Sequence, residues 1–147
     1  MPRFAQSVLL DTGPIVALVN RADRHHLRAL GWFRDFRGKL VTTEAVVTEV
    51  VYVLGRSSPH QGAALLWLAR MAKAGLLAIE PMSDLVAIAK IMKRYASLPT
   101  DFADASLVWL ALTRRVNRVA TVDEADFAIY RSFAGKRFIN VFGERRS

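Results

Sequence analysis

Ser7-Val8-Leu9-Leu10-Asp11-Thr12-Gly13-Pro14 is the stretch that decides the fold. A short apolar run stops at an acid, a Thr-Gly turn follows, and Pro14 stands where a first helical turn tolerates a missing N–H; this reads as buried strand, turn, helix. The pattern recurs outward. Residues 22–36 carry Leu27, Leu30, Trp32, Phe33 and Phe36 near helical spacing and end at Gly38, and 40–42 follow as a strand. Residues 43–54 are rich in β-branched valines, so propensity alone calls for a strand. Their apolar positions fall at i, i+1, i+4 and i+5 instead of alternating, and Gly55 closes the run, which predicts a helix.

The next helix opens with Ser58 as N-cap, Pro59 at the first position and Gln61 completing a capping box, and ends at Gly75. Strand 77–79, helix 83–95, helix 101–115, strand 118–122, helix 124–132 and strand 138–141 complete the chain. Strands alternating with helices over short connections predict an α/β fold, a three-layer α/β/α sandwich on a mostly parallel sheet, as one domain over residues 1–147.

Composition narrows the chemistry. The 147 residues are 52% hydrophobic, which excludes global disorder, and hold no cysteine and three histidines, which excludes disulfide scaffolds, thiolate sites and His-rich metal sites. No apolar run reaches the roughly 18 to 20 residues of a membrane span, and the N-terminus lacks a signal-peptide apolar region, so the reading is a cytoplasmic chain with no membrane association. Lys and Arg number 21 against 13 Asp and Glu, a net charge of +8 that favours a polyanionic partner.

Against that basic background the acids need explaining. Asp11 and Asp123 each follow a strand, where parallel sheets bind ligands, although Asp is also an ordinary helix cap there. Glu49 has Ala45, Val46, Tyr52 and Val53 as helical neighbours, so it needs a cation, a proton or an arginine partner. Asp101 and Asp104 open a helix whose remaining face is apolar; capping accounts for one of them, with Thr100 also available as a cap. Carboxylates clustered without His or Cys are the ligand set of Mg2+ or Mn2+, ions that support phosphodiester hydrolysis.

These segments resemble the PIN-domain nucleases, and among them the VapC-type toxins of type II toxin–antitoxin systems. VLLDTGPIVALVN with Asp11, TTEAVVTEVVYVL with Glu49, LPTDFADASLVWLA with Asp104 and VATVDEADF with Asp123 come in the family's order across nearly the whole chain. The resemblance implies that Asp11, Glu49, Asp104 and Asp123 are the catalytic, Mg2+- or Mn2+-binding acids, with Asp101 auxiliary and Thr12 and Thr121 orienting carboxylates or the scissile phosphate. It treats Asp126-Phe127 as a structural dipeptide. It further implies an endoribonuclease leaving 5′-phosphate and 3′-hydroxyl ends, a small antitoxin partner and a homodimer, for which helix 59–74 with Leu65, Leu66 and Trp67 is the candidate interface.

The basic groups Lys90, Lys93 and Arg94, then Arg114, Arg115 and Arg118, and Lys136 with Arg137 are candidate phosphate contacts. His25 and His26 read as solvated surface, and Trp32, Trp67 and Trp109 as core or interface. Two alternatives stand beside the nuclease: a catalytically inactive RNA-binding or interaction module of the same fold, and an aspartic protease through Leu10-Asp11-Thr12-Gly13, which requires an all-β chain.

Overall fold

The computed structural model describes residues 7–56 and 59–143. Five strands, β1 (Ser7–Leu10), β2 (Lys39–Thr43), β3 (Leu77–Glu80), β4 (Arg118–Ala120) and β5 (Ile139–Asn140), form one sheet in the order β3-β2-β1-β4-β5. Every pairing is parallel, so the sheet is wholly rather than mostly parallel. The helices are α1 (Thr12–Val19), α2 (His26–Asp35), α3 (Glu44–Leu54), α4 (His60–Lys73), α5 (Leu85–Arg94), α6 (Phe102–Arg114) and α7 (Glu124–Ile129). After β3 the chain turns back past β2 and β1 to reach β4. Right-handed crossovers therefore set α1 to α4 on one face of the sheet and α5 with α6 on the other.

An all-parallel sheet covered on both faces needs strands that are apolar throughout. Leu9, Leu10, Leu40, Val119 and Ala120 meet this need, all fully buried, with Ile15 and Ala17 from one side and Leu107 and Leu110 from the other. Each such leucine contributes about 2 kcal/mol by burial. This architecture removes the protease alternative, which needs an all-β chain.

Helix α3 forms despite its valines because one face of it is buried. Val46 and Val50, one turn apart, are buried, whereas Tyr52 and Val53 are exposed. Its ends are also specified: the Thr43 hydroxyl accepts from Val46 N at 3.2 Å, and Gly55 at φ 83° closes it. Several element ends differ from expectation. Helix α2 starts at His26 rather than residue 22, and His26 is no solvated side chain, since its Nδ1 lies 2.7 Å from Ala17 O and ties α2 to α1. Ser58 lies outside the described residues, and Gln61 does not cap α4; its Nε2 donates to Val51 O at 2.7 Å, joining α4 to α3. Trp32 is core, packed among Phe33, Phe36 and Phe142, while Trp67 and Trp109 are half-buried.

At Gly13 the β1–α1 turn passes so close to the loop after β4 that an added Cβ would overlap the γ-methyls of Val122. The close approach draws together the ends of β1 and β4. Gly13→Ala is therefore expected to lower stability by about 1–3 kcal/mol, measured by urea unfolding, through overpacking alone. A neutral outcome would show that the two loops separate freely.

Candidate metal centre

Strand order reverses direction between β1 and β4, and at such a switch point the loops after the two strands part to leave a crevice. Here the crevice is a cavity of about 320 Å³ whose lining includes Asp11, Glu49, Asp101, Asp104, Asp123 and Asp126. Among the described residues no Lys, Arg or His lines it, and none of its acids forms an ion pair.

Three of these acids reach the cavity because they are caps. Asp11 is N-cap of α1, Asp101 of α6 and Asp123 of α7, accepting from Thr12 N (2.8 Å), Asp104 N (2.8 Å) and Asp126 N (3.2 Å) respectively. Capping and participation in the cluster are thus one arrangement. The helix N-termini direct positive dipole ends toward a negative pocket. Thr100, offered above as a cap, instead donates to Tyr95 O at 3.3 Å and leaves the capping to Asp101.

Two threonines order the acids. Thr121 Oγ1 donates to Asp11 Oδ2 at 2.7 Å and accepts from Asp123 N at 2.9 Å, linking the acids of the two central strands. Thr12 Oγ1 donates to Glu49 Oε1 at 2.7 Å and so brings the α3 acid to the same mouth. Asp104, one turn inside α6, accepts from the hydroxyl of the fully buried Tyr130 at 3.2 Å.

The electrostatics are those of a site short of positive charge. Burial pushes the Asp11 carboxyl up to about 6 despite hydrogen bonds from Thr121 and Thr12, with Glu49 and Asp123 adding to the rise. Burial, then the charges of Asp11 and Asp101, raises Asp104 to about 8. Glu49 is raised by burial and by Asp101, and Asp126 by burial and its contact with Asp123. Like charges gathered in a cleft, each resisting ionisation for a stated physical cause, make this cavity the candidate functional site.

The donor set fits a hard divalent cation. One oxygen from each of Asp104, Asp123 and Asp126 lies within 4.8 Å of the others. Opposite oxygens of an Mg2+ octahedron are about 4.2 Å apart, so small side-chain rotations suffice to gather them. Asp126, expected only as half of a structural Asp-Phe dipeptide, therefore stands in the site. The spacing that paired Asp101 with Asp104 applies equally to Asp123 and Asp126.

The proposed basic contacts divide. Lys93 and Arg94 close α5, exposed, where the chain enters the loop carrying Pro99 and Asp101 to the cavity. Arg114 and Arg115 stand about 15 Å along the α6 axis from Asp104, and Arg118 opens β4 at the end opposite the acids. Arg114 is paired with Glu80, and the Arg115 guanidinium lies 4.6 Å over the Phe133 ring. The structure does not bring these three to the cavity.

A wholly parallel α/β sheet with a carboxylate-lined cavity at its switch point defines a class of acidic, metal-type centres. The chain belongs to the PIN-domain family, whose model matches residues 8–131. Among solved structures it is similar to VapC20 of Mycobacterium tuberculosis, described as a sarcin-ricin loop cleaving toxin. The TM-score is 0.67 with 16% identity over 80% of this chain and 91% of that one, a likeness of fold. No curated protein sequence matches the chain. Among the described residues no helix is long and apolar enough to cross a membrane.

Proposed function

We propose that the chain is an Mg2+- or Mn2+-dependent endoribonuclease of the VapC type, the toxin of a toxin–antitoxin pair. The observation that carries this reading is the cluster of six carboxylates around one cavity that, among the described residues, no Lys, Arg or His lines. Asp11, Glu49, Asp104 and Asp123 would hold the ion together with Asp126, whose oxygen converges with those of Asp104 and Asp123, and Asp101 stands beside them. A bound divalent ion supplies a nucleophilic water at neutral pH and charge stabilisation at the phosphodiester. The protein's own part is orientation. Thr121 fixes the Asp11 carboxylate, Thr12 fixes Glu49, and Lys93 and Arg94 offer positive charge on the side where an RNA strand enters. VapC20 is described as a toxin that cleaves the sarcin-ricin loop, which supports RNA as the substrate class. The partners that go with this reading are a small antitoxin and a second copy of the chain. Leu65 and Leu66 of α4, 44% and 58% exposed, support a homodimer through that helix.

The test is direct. Purified protein should cleave RNA in Mg2+ or Mn2+, stop in EDTA, and leave 5′-phosphate ends that a 5′-phosphate-dependent exonuclease accepts. Absence of cleavage across varied RNAs, together with a melting temperature indifferent to both ions, would leave an inactive RNA-binding module.

Tyr130 gives this site a positioning residue. Its ring is held edge-on by Tyr95 and Phe127 at 4.9 and 5.0 Å, so its hydroxyl is fixed against Asp104 Oδ2 and Thr100 Oγ1. Removal of a hydrogen bond that orients a metal ligand costs roughly 10- to 100-fold in metal affinity. Tyr130→Phe is expected to raise the Mn2+ dissociation constant at least about tenfold by calorimetry, with kcat at saturating Mn2+ much less affected. Unchanged Mn2+ affinity would remove Tyr130 from the site.

A further inference from the structure

The β5 edge of the sheet carries a basic surface that the cavity does not use. Arg115 ends α6 in the left-handed region at φ 56°, and its guanidinium and the Lys136 ammonium lie 4.6 and 4.8 Å from the same Phe133 ring. Phe133 belongs to a closed loop, in which Arg131 pairs antiparallel with Arg137 and Ser132 N donates to Lys136 O at 2.8 Å. Two further bonds staple this loop to the α6–β4 connection: Ser132 Oγ donates to Val116 O at 2.6 Å, and Asn117 Nδ2 to Arg137 O at 3.3 Å. Arg118 stands in register with Ile139, next to the same loop. Arg115, Arg118, Lys136 and Arg137 are thereby gathered on one edge, all exposed. Neither 105–122 nor 127–143 contains an Asp or Glu.

We propose that this edge is a second phosphate-binding surface for RNA, separate from the carboxylate cavity, and the proposal rests on the nuclease reading above. A protein-docking core is depleted of charge and built on apolar anchors. This edge has the opposite make-up, exposed cations of one sign, two of whose charged heads (Arg115 and Lys136) are held over a half-buried ring, which suits a polyanion. The cavity lies at the N-terminus of α6 and the basic edge at its C-terminus. From Asp101 to Arg115 is about 20 Å along the axis. A base-stacked strand, rising about 3.4 Å per nucleotide as in a duplex, spans this distance in about six nucleotides, and an unstacked one in fewer. The surface therefore selects for length: a longer RNA is held at two places and a shorter one only at the cavity.

The test uses the triple variant Arg118→Gln, Lys136→Gln, Arg137→Gln, with Arg118→Gln alone as the mild version and circular dichroism melting to confirm both are folded. Fluorescein-labelled single-stranded RNAs of about 4 and about 20 nucleotides, below and above the six-nucleotide span, are the probes. Binding is read by anisotropy in EDTA across a NaCl series, and cleavage in Mn2+. The triple variant should bind the longer RNA roughly tenfold more weakly and lose about two from its log–log salt slope, the single variant about one. Cleavage of the short RNA should be unchanged. Wild-type affinity and slope for the longer RNA in the triple variant, or equal losses at both lengths, would overturn the proposal. Binding in EDTA needs no chemistry, so a lost slope without cleavage by either protein would sink the nuclease reading and keep the surface.

Discussion

Asp104→Asn should lose at least about a hundredfold in RNA cleavage while melting several degrees higher than the parent in the absence of metal. The two effects have one cause. Burial and the charges of Asp11 and Asp101 raise the Asp104 carboxyl from an ordinary 3.8 to about 8 in the folded chain, so at neutral pH its ionisation is resisted. Between those two values the folded state binds more protons than the unfolded one. The stability is complete below pH 4 and declines as pH rises through the window to 8. Asparagine removes the charge and keeps an oxygen to accept the Tyr130 hydrogen bond. With solvent screening allowed for, the gain is about 1–2 kcal/mol, or roughly 3–6 °C. Parallel melting and cleavage assays decide it. A variant that is inactive and also less stable would show that Asp104 is structural, and one that stays active would remove it from the chemistry.

The second large effect is a metal response that depends on pH. Asp11 and Asp104 must both be ionised to bind a cation, so binding at pH 7 displaces protons and becomes more favourable as pH rises toward 8. An ion present at 100 times its dissociation constant adds about 2.7 kcal/mol to stability. For a chain of this size that is roughly 5–11 °C in melting temperature. The Mn2+-induced shift should therefore be small at pH 5 and reach this size near pH 8. Calorimetry in buffers of different ionisation enthalpy should register proton release. A shift that is the same at pH 5 and pH 8, or no shift, would rule out binding through these two carboxylates.

Much of this site could be read from residue order. Asp11 and Asp123 stand where strands stop, and Glu49 stands among carbon-rich neighbours on α3 with no arginine paired to it among the described residues. The doubt about whether Asp11, Asp101 and Asp123 were caps or site residues came from treating those roles as exclusive. In the fold a cap at a switch point is already aimed into the cavity. Asp126 reads from sequence as half of a structural Asp-Phe dipeptide, and only the fold brings its oxygen to those of Asp104 and Asp123. The arginines went astray for a different reason. A run of cations in sequence says nothing of which end of a helix meets the acids, and α6 carries Arg114 and Arg115 away from them. Propensity failed only at α3, where burial of Val46 and Val50 outweighs a β preference spanning about 1 kcal/mol.

The strand order has a consequence for assembly. Asp11 and Glu49 precede β3, whereas Asp101, Asp104, Asp123 and Asp126 all follow it. The connection after β3 thus divides the acids into two groups that meet only when β4 has inserted beside β1. A nascent chain that has emerged only as far as β3 carries Asp11 and Glu49 but none of the other four acids. Formation of the acidic centre is therefore a report on the pairing of β4 with β1, and a chain without that pairing holds its acids in two separate groups.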